Sequence, residues 1–160
     1  MLNVKIYVTG TLKEQYYKDA IAEYKKRLGA YCKLEIIEYK EYKLSDEPSQ
    51  KQIEQALAYE GQRILADVSP RAYKIAMCVE GKQLSSEELA EKISDVTLSG
   101  KSEIVFIIGS SFGLSNGIKN IADYKLSISK LTFPHQLLRV ILHETIYRSL
   151  SIINGTKYHK

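Results

Sequence analysis

The sequence has no apolar run near the ~20 residues that a membrane-spanning helix needs. Its first residues, Met1-Leu2-Asn3-Val4-Lys5, lack the basic-then-apolar layout of a secretion signal. Both absences lead us to expect a cytoplasmic protein with no membrane partner. Cysteine is scarce: Cys32 and Cys78 have neither Cys-x-x-Cys spacing nor a neighbouring histidine, and read as reduced, half-buried structural thiols. The three histidines, His135, His143 and His159, lack ligand spacing too, so no metal is expected. No Gly-x-Gly-x-x-Gly follows a strand and no Gly-x-x-x-x-Gly-Lys-Ser/Thr occurs, which argues against a phosphate cradle. A nucleophile elbow for Ser-His-Asp chemistry is also missing. No repeat, low-complexity tract or linker divides the chain, and the polar stretch Lys43 to Ser49 is too short for a domain boundary. The 160 residues therefore read as one domain, 1–160.

What is present fits a folded globular chain: 44% hydrophobic and 26% charged residues. The net charge is +4, unevenly spread. Residues 117–160 hold seven basic side chains against Asp123 and Glu144, and all three histidines. A basic surface attracts polyanions, although a modest excess of lysine is also what an ordinary solvated face looks like.

Hydrophobic periodicity supplies the elements. Leu2 to Thr9 alternates and reads as a strand. Lys13 to Leu28 places Tyr17, Ala20, Ile21, Tyr24 and Leu28 on one helical stripe, with Gly29 as a left-handed terminator. Lys33 to Tyr39 is a second strand. Ser49 with Gln52 forms a capping box for a helix carrying Ile53, Ala56, Leu57, Gly61, Ile64 and Leu65 inward. Gly61 inside that helix costs about 1 kcal/mol against alanine, and close packing onto a neighbouring backbone would justify it. Lys74 to Val79 is a third strand, Gly81-Lys82 a turn, and Ser85 with Glu88 a second capping box for a helix to Leu98.

Glu103 to Ile108 is apolar throughout, as a strand buried on both faces is. A helical turn near Asn116–Ile121 and a weaker strand at Tyr124–Ser127 follow. Thr132 is placed to cap a last helix, Leu137 to Ile153, with Pro134 in its first turn. Leu138, Ile141, Leu142, Ile146, Leu150 and Ile153 form its stripe, His143 reads as a surface residue, and Leu137, Val140 and Tyr147 add apolar surface beyond one face. The alternation predicts an α/β fold, a mostly parallel sheet with helices on both faces. In such sheets ligands bind outside the carboxyl ends of strands.

The last third concentrates the informative residues. The strand Ile104-Val105-Phe106-Ile107-Ile108 stops at Gly109-Ser110-Ser111-Phe112-Gly113-Leu114. Then come Leu126-Ser127-Ile128-Ser129-Lys130-Leu131-Thr132-Phe133-Pro134-His135-Gln136, Arg139, Tyr147-Arg148 and Tyr158-His159. In this order, together with Glu60-Gly61-Gln62-Arg63-Ile64-Leu65 and Gly81-Lys82, the chain resembles the ribosomal RNA large subunit methyltransferase H family. That family belongs to the SPOUT class. The resemblance covers the whole chain, with one departure: Ser110 stands where the family usually has a second glycine.

The resemblance implies a C-terminal trefoil knot, the last helix threading a loop near residues 109–133. It implies S-adenosylmethionine as cofactor, held at Met77, Gly109 and the run Ile128, Ser129, Lys130, Leu131, Thr132 and Phe133. It implies a homodimer that methylates N3 of a pseudouridine in 23S ribosomal RNA within the assembled ribosome, with Arg148, Tyr158 and His159 at the substrate. Read without the family, these residues have plainer roles. Gly109 is a turn, Met77 a core methionine, and Arg148 the partner of Glu144 four residues earlier on a helix. Tyr158-His159 is a terminus of the kind that frays. The alternatives are a non-catalytic RNA- or ribosome-binding module using the same basic face, and a small nucleotide-binding α/β protein.

Overall fold

The computed structural model describes every residue, Met1–Lys160. The elements are β1 (Leu2–Thr9), α1 (Gln15–Leu28), β2 (Cys32–Tyr39), α2 (Gln50–Asp67) and β3 (Tyr73–Lys82). They continue as α3 (Ser86–Leu98), β4 (Glu103–Ile108), α4 (Asn116–Ile121), β5 (Tyr124–Leu126) and α5 (His135–Ile153). The five strands form one sheet in the order β2-β1-β4-β3-β5, and every pairing is parallel.

Period-two alternation in the strands divides the core in two. Val4, Ile6, Val8, Ile104, Phe106 and Ile108 face one side, where Leu28 of α1, Ile93 of α3 and Leu142 and Ile146 of α5 meet them. Tyr7, Ala76, Val105 and Ile107 face the other, against Ile64 of α2 and Ile118 of α4. Helices thus cover both faces, and β4 is buried on both, as its unbroken apolar sequence requires. Both predicted capping boxes form, at Ser49/Gln52 and Ser85/Glu88.

Local pattern misreads several points. Gly29 is right-handed (φ −57°), and α1 ends in a tight turn in which the Tyr31 amide donates to the Leu28 carbonyl at 2.9 Å. Gly81 and Lys82 are not a turn but the end of β3. Lys82 pairs with Leu126, and the Ser127 amide donates to its carbonyl at 2.9 Å. That pairing is long-range, so no local signal announces it. Thr132 does not cap α5: the helix starts after Pro134 with no side-chain cap, because Thr132 lies two residues too early. Cys32 and Cys78 are buried, not half-buried, and both are free.

The largest revision concerns α5. Its buried face is Arg139, Leu142, His143, Ile146, Ser149, Leu150 and Ser151. His143 is fully buried, not on the surface, while Ile153 of the predicted stripe is 40% exposed. The helix packs against α1 and α3 as well as the sheet. Its inward arc is set by three neighbours and takes in polar residues that a purely apolar stripe omits.

Candidate functional site

A cavity of about 640 Å³ opens outside the carboxyl ends of β3, β4 and β5. Its first wall is a bulge. β3 leaves its pairing with β5 after Met77 and regains it at Lys82, and Met77 to Glu80 line the cavity where the strand bows out. The second wall is the loop after β4, closed by an antiparallel bridge between Ser110 and Gly113. Gly113 has φ +91°, which a side-chain-bearing residue rarely adopts. A Cβ on Gly109 would collide with the Gly113 carbonyl group. The third wall is the loop after β5. There the Ser127 hydroxyl donates to the Ser129 carbonyl at 2.9 Å, and the Leu131 amide donates to the Ser129 hydroxyl at 3.0 Å. The first turn of α5 adds His135 and Leu138.

The interior is mostly apolar, lined by Met77, Ile108, Leu126, Ile128, Phe133 and Leu138. Phe112 and Leu131 stand 46% and 71% exposed at the rim. Among the lining side chains, Glu80 and Lys119 face each other at 2.6 Å. The hydrogen bond from Lys119 holds the Glu80 carboxyl below the usual carboxylate range.

Behind the β4 loop lies a carboxylate that sequence reasoning missed. Glu60 of α2 is only 4% exposed. It accepts from the Ser110 hydroxyl at 3.1 Å and from the Tyr42 amide at 2.9 Å. Burial raises its pKa, and those two hydrogen bonds oppose the rise. The sequence hints at it twice, as the first residue of the Glu60 to Leu65 motif and as an acidic residue at the inward spacing of Ala56 and Ile64.

Of the residues expected to hold a cofactor, Met77, Gly109, Ile128, Ser129, Leu131, Thr132 and Phe133 line this cavity. Lys130 does not, and is exposed. Arg148, Tyr158 and His159 form a separate cluster at the far end of α5. Arg148 lies ten residues beyond Leu138, ~15 Å along the helix axis. Its Nε donates to Glu144 at 2.7 Å and its Nη1 to His159 Nδ1 at 3.2 Å. An arginine only donates, so Nδ1 accepts, and the ring proton sits on Nε2, which donates to Glu87 at 2.7 Å. The Tyr158 hydroxyl donates to Glu144 at 2.7 Å, and the Arg148 guanidinium lies over its ring. That ring meets Tyr147 edge-on, 4.6 Å between centroids. The tail is therefore docked, and the plain Glu144–Arg148 helix pair also forms.

A third polar group ties α5 to the sheet. Arg139 is 2% exposed and donates to Glu38 at 2.9 Å and to the Gly10 carbonyl at 3.0 Å. His143 Nδ1 donates to the Arg139 carbonyl at 2.7 Å, and its Nε2 has no partner. No group of three or more His, Cys, Asp or Glu side chains stands together as a metal site, and no helix is long and apolar enough to cross a membrane.

Known proteins resemble this chain along nearly its whole length. A family model described as "Predicted SPOUT methyltransferase" matches residues 2–159. Three proteins named ribosomal RNA large subunit methyltransferase H align over 159 residues, 99% of this chain and 100% of each relative. They come from Clostridium novyi at 52% identity, Clostridioides difficile at 49% and Limosilactobacillus reuteri at 47%.

Proposed function

The chain belongs to the SPOUT methyltransferase family, and from that membership we propose that it methylates N3 of a pseudouridine in 23S ribosomal RNA on the assembled ribosome, using S-adenosylmethionine. The observation that carries the cofactor assignment is the cavity beyond β3, β4 and β5, with an apolar interior and no phosphate cradle. It suits an adenosine without phosphates. Met77, Gly109, Ile128, Ser129, Leu131, Thr132 and Phe133 would hold it, and Lys130 is left to the outer face of the loop. When bound, the cofactor would supply a methyl group on a sulfonium, whose sulfur leaves as a neutral thioether on direct in-line displacement.

The chain's own task is then positioning and proton removal. The imide N–H of the base must lose its proton as N3 attacks. Arg148 and Lys160 supply positive charge for the developing anion, and His159 accepts the proton. The ring nitrogen free to accept is Nδ1, the one Arg148 covers, so the base has to displace that contact.

Arg148, Tyr158 and His159 do not reach the cavity of their own chain, which supports a homodimer that joins one subunit's tail to its partner's cavity. The apolar flank of α5 suits such an interface: Leu137, Val140, Ile141 and Tyr147 are only partly buried. The trefoil knot, α5 passing through the loop near residues 109–133, belongs to the same proposal. The test is tritium transfer from labelled cofactor onto ribosomes lacking the modification. Label in 23S RNA is expected. Ribosome binding without cofactor binding or label would leave the non-catalytic RNA-binding alternative, supported by the basic C-terminal third.

A further inference from the structure

The charged side chains of the cavity are confined to one place on its mouth. Glu80, on the bowed segment of β3, and Lys119, on α4, are the only lining side chains that carry a fixed charge at neutral pH. They stand 2.6 Å apart, one positive and one negative. Their partial exposure, 58% for Glu80 and 28% for Lys119, puts them where the apolar interior gives way to water. Resting on the cofactor assignment above, we propose that this pair is the subsite for the amino-acid end of the methyl donor. Lys119 takes its α-carboxylate and Glu80 its α-ammonium.

Charge decides the class of group. A lone lysine would favour any anion, and a lone carboxylate any cation. A pair with no net charge favours neither, and a phosphate brought to Lys119 would meet Glu80. A zwitterion whose opposite charges sit on one carbon satisfies both partners at once, by charge-assisted hydrogen bonds. Such a ligand would lie with its adenosine against the apolar wall and its charged end at the water-facing mouth. The competing role is a staple fastening the β3 bulge to α4. Exposed ion pairs contribute little to stability, so the staple role alone gives no reason for placing both charges in the cavity mouth.

Calorimetry with two probes separates the roles: S-adenosylhomocysteine, which has the amino-acid end, and 5′-methylthioadenosine, which lacks it. Lys119→Met and Glu80→Gln should each weaken S-adenosylhomocysteine by about tenfold or more, and 5′-methylthioadenosine by less than about twofold. The exchanged double variant, Glu80→Lys with Lys119→Glu, restores an ion pair with its polarity reversed. It should bind 5′-methylthioadenosine normally and still bind S-adenosylhomocysteine poorly. Equal weakening of both probes, or full rescue by the exchange, makes the pair a staple and overturns the subsite. Equal affinity of the wild-type protein for the two probes overturns the subsite while leaving the donor assignment standing. Wild-type protein that binds neither probe overturns both.

Discussion

Gly109 carries a constraint that lies inside its own loop. A glycine at the end of a strand lets a ligand lie against the main chain. The geometry shows that even a Cβ would first strike the Gly113 carbonyl, breaking the closure between Ser110 and Gly113. Gly109→Ala should therefore abolish S-adenosylhomocysteine binding and cost about 1–3 kcal/mol of stability by overpacking. Unchanged melting and unchanged affinity would remove Gly109 from the site. His143 makes a second prediction at this scale. Burial pushes its imidazole from 6.5 down to about 4. Its folded pKa lies below its unfolded one, so the unfolded chain takes up the proton first. Its contribution is complete above about pH 6.5 and is lost as the pH falls towards 4. Between pH 7 and 5 the wild-type protein should lose about 2 kcal/mol more than His143→Leu does. Urea titrations of both proteins at the two pH values check this, and parallel losses would place the titration elsewhere.

Among the elements, α2 and α4 meet closely at Gly61, where the α2 side of the contact has no room for a side chain. A Cβ there would collide with the Ser115 hydroxyl and lie 3.1 Å from Ser115 Cβ. Close packing was expected to justify this glycine, but against backbone; the neighbour is a side chain. Ser115 cannot turn away freely, because its hydroxyl caps α4 by accepting from the Ile118 amide at 3.3 Å. Gly61→Ala gains about 1 kcal/mol of helix propensity and loses about 1–3 kcal/mol to overpacking or a broken cap, so it should destabilise. Since Glu60 is its neighbour in sequence, the shift should also loosen the Ser110 contact and weaken cofactor binding. Adding Ser115→Gly removes the obstructing atoms, and the double variant should be more stable than the sum of the single effects. Strict additivity in denaturant melts would show that the two helices do not meet as described.

At the scale of the whole molecule, the cavity and the tail cluster lie at different ends of α5, and the proposed site needs both. If two copies complete each other, light scattering at micromolar concentration should give about twice the 18.2 kDa chain mass. A monomer would overturn the shared site. His159→Ala should lower turnover by about 10²–10⁴-fold and leave cofactor affinity nearly unchanged. Mixing that variant with Gly109→Ala should restore part of the activity, because a mixed dimer retains one intact cavity facing one intact tail. Mixtures that stay inactive while exchanging subunits would place both clusters in the same chain's site. Removing Thr156 to Lys160 takes away the Tyr158 and His159 contacts to Glu144, Arg148 and Glu87 but no residue of the buried core, so it should cost about 1 kcal/mol of stability and leave cofactor affinity nearly unchanged while abolishing turnover.

The sequence by itself determined the order and kind of the elements. Each was written in a local signal: the alternation of Leu2 to Thr9, the boxes at Ser49 and Ser85, and the unbroken apolar run of β4. The lining of the cavity was legible for a related reason. Its loops follow directly on strands β4 and β5, and the ends of strands in an α/β sheet are where sites lie. What tertiary structure decided is whatever depends on a partner distant in sequence. Gly81-Lys82 is strand because β5 lies beside it. Arg139 and His143 are interior because α5 is wedged between α1 and α3. Glu60 serves the β4 loop because α2 packs behind it. Glu80 finds Lys119 only because α4 folds back over the β3 bulge. Periodicity records which side of an element turns inward. It does not record what that side meets, because the identity of the neighbour is a property of the sheet order and not of the segment.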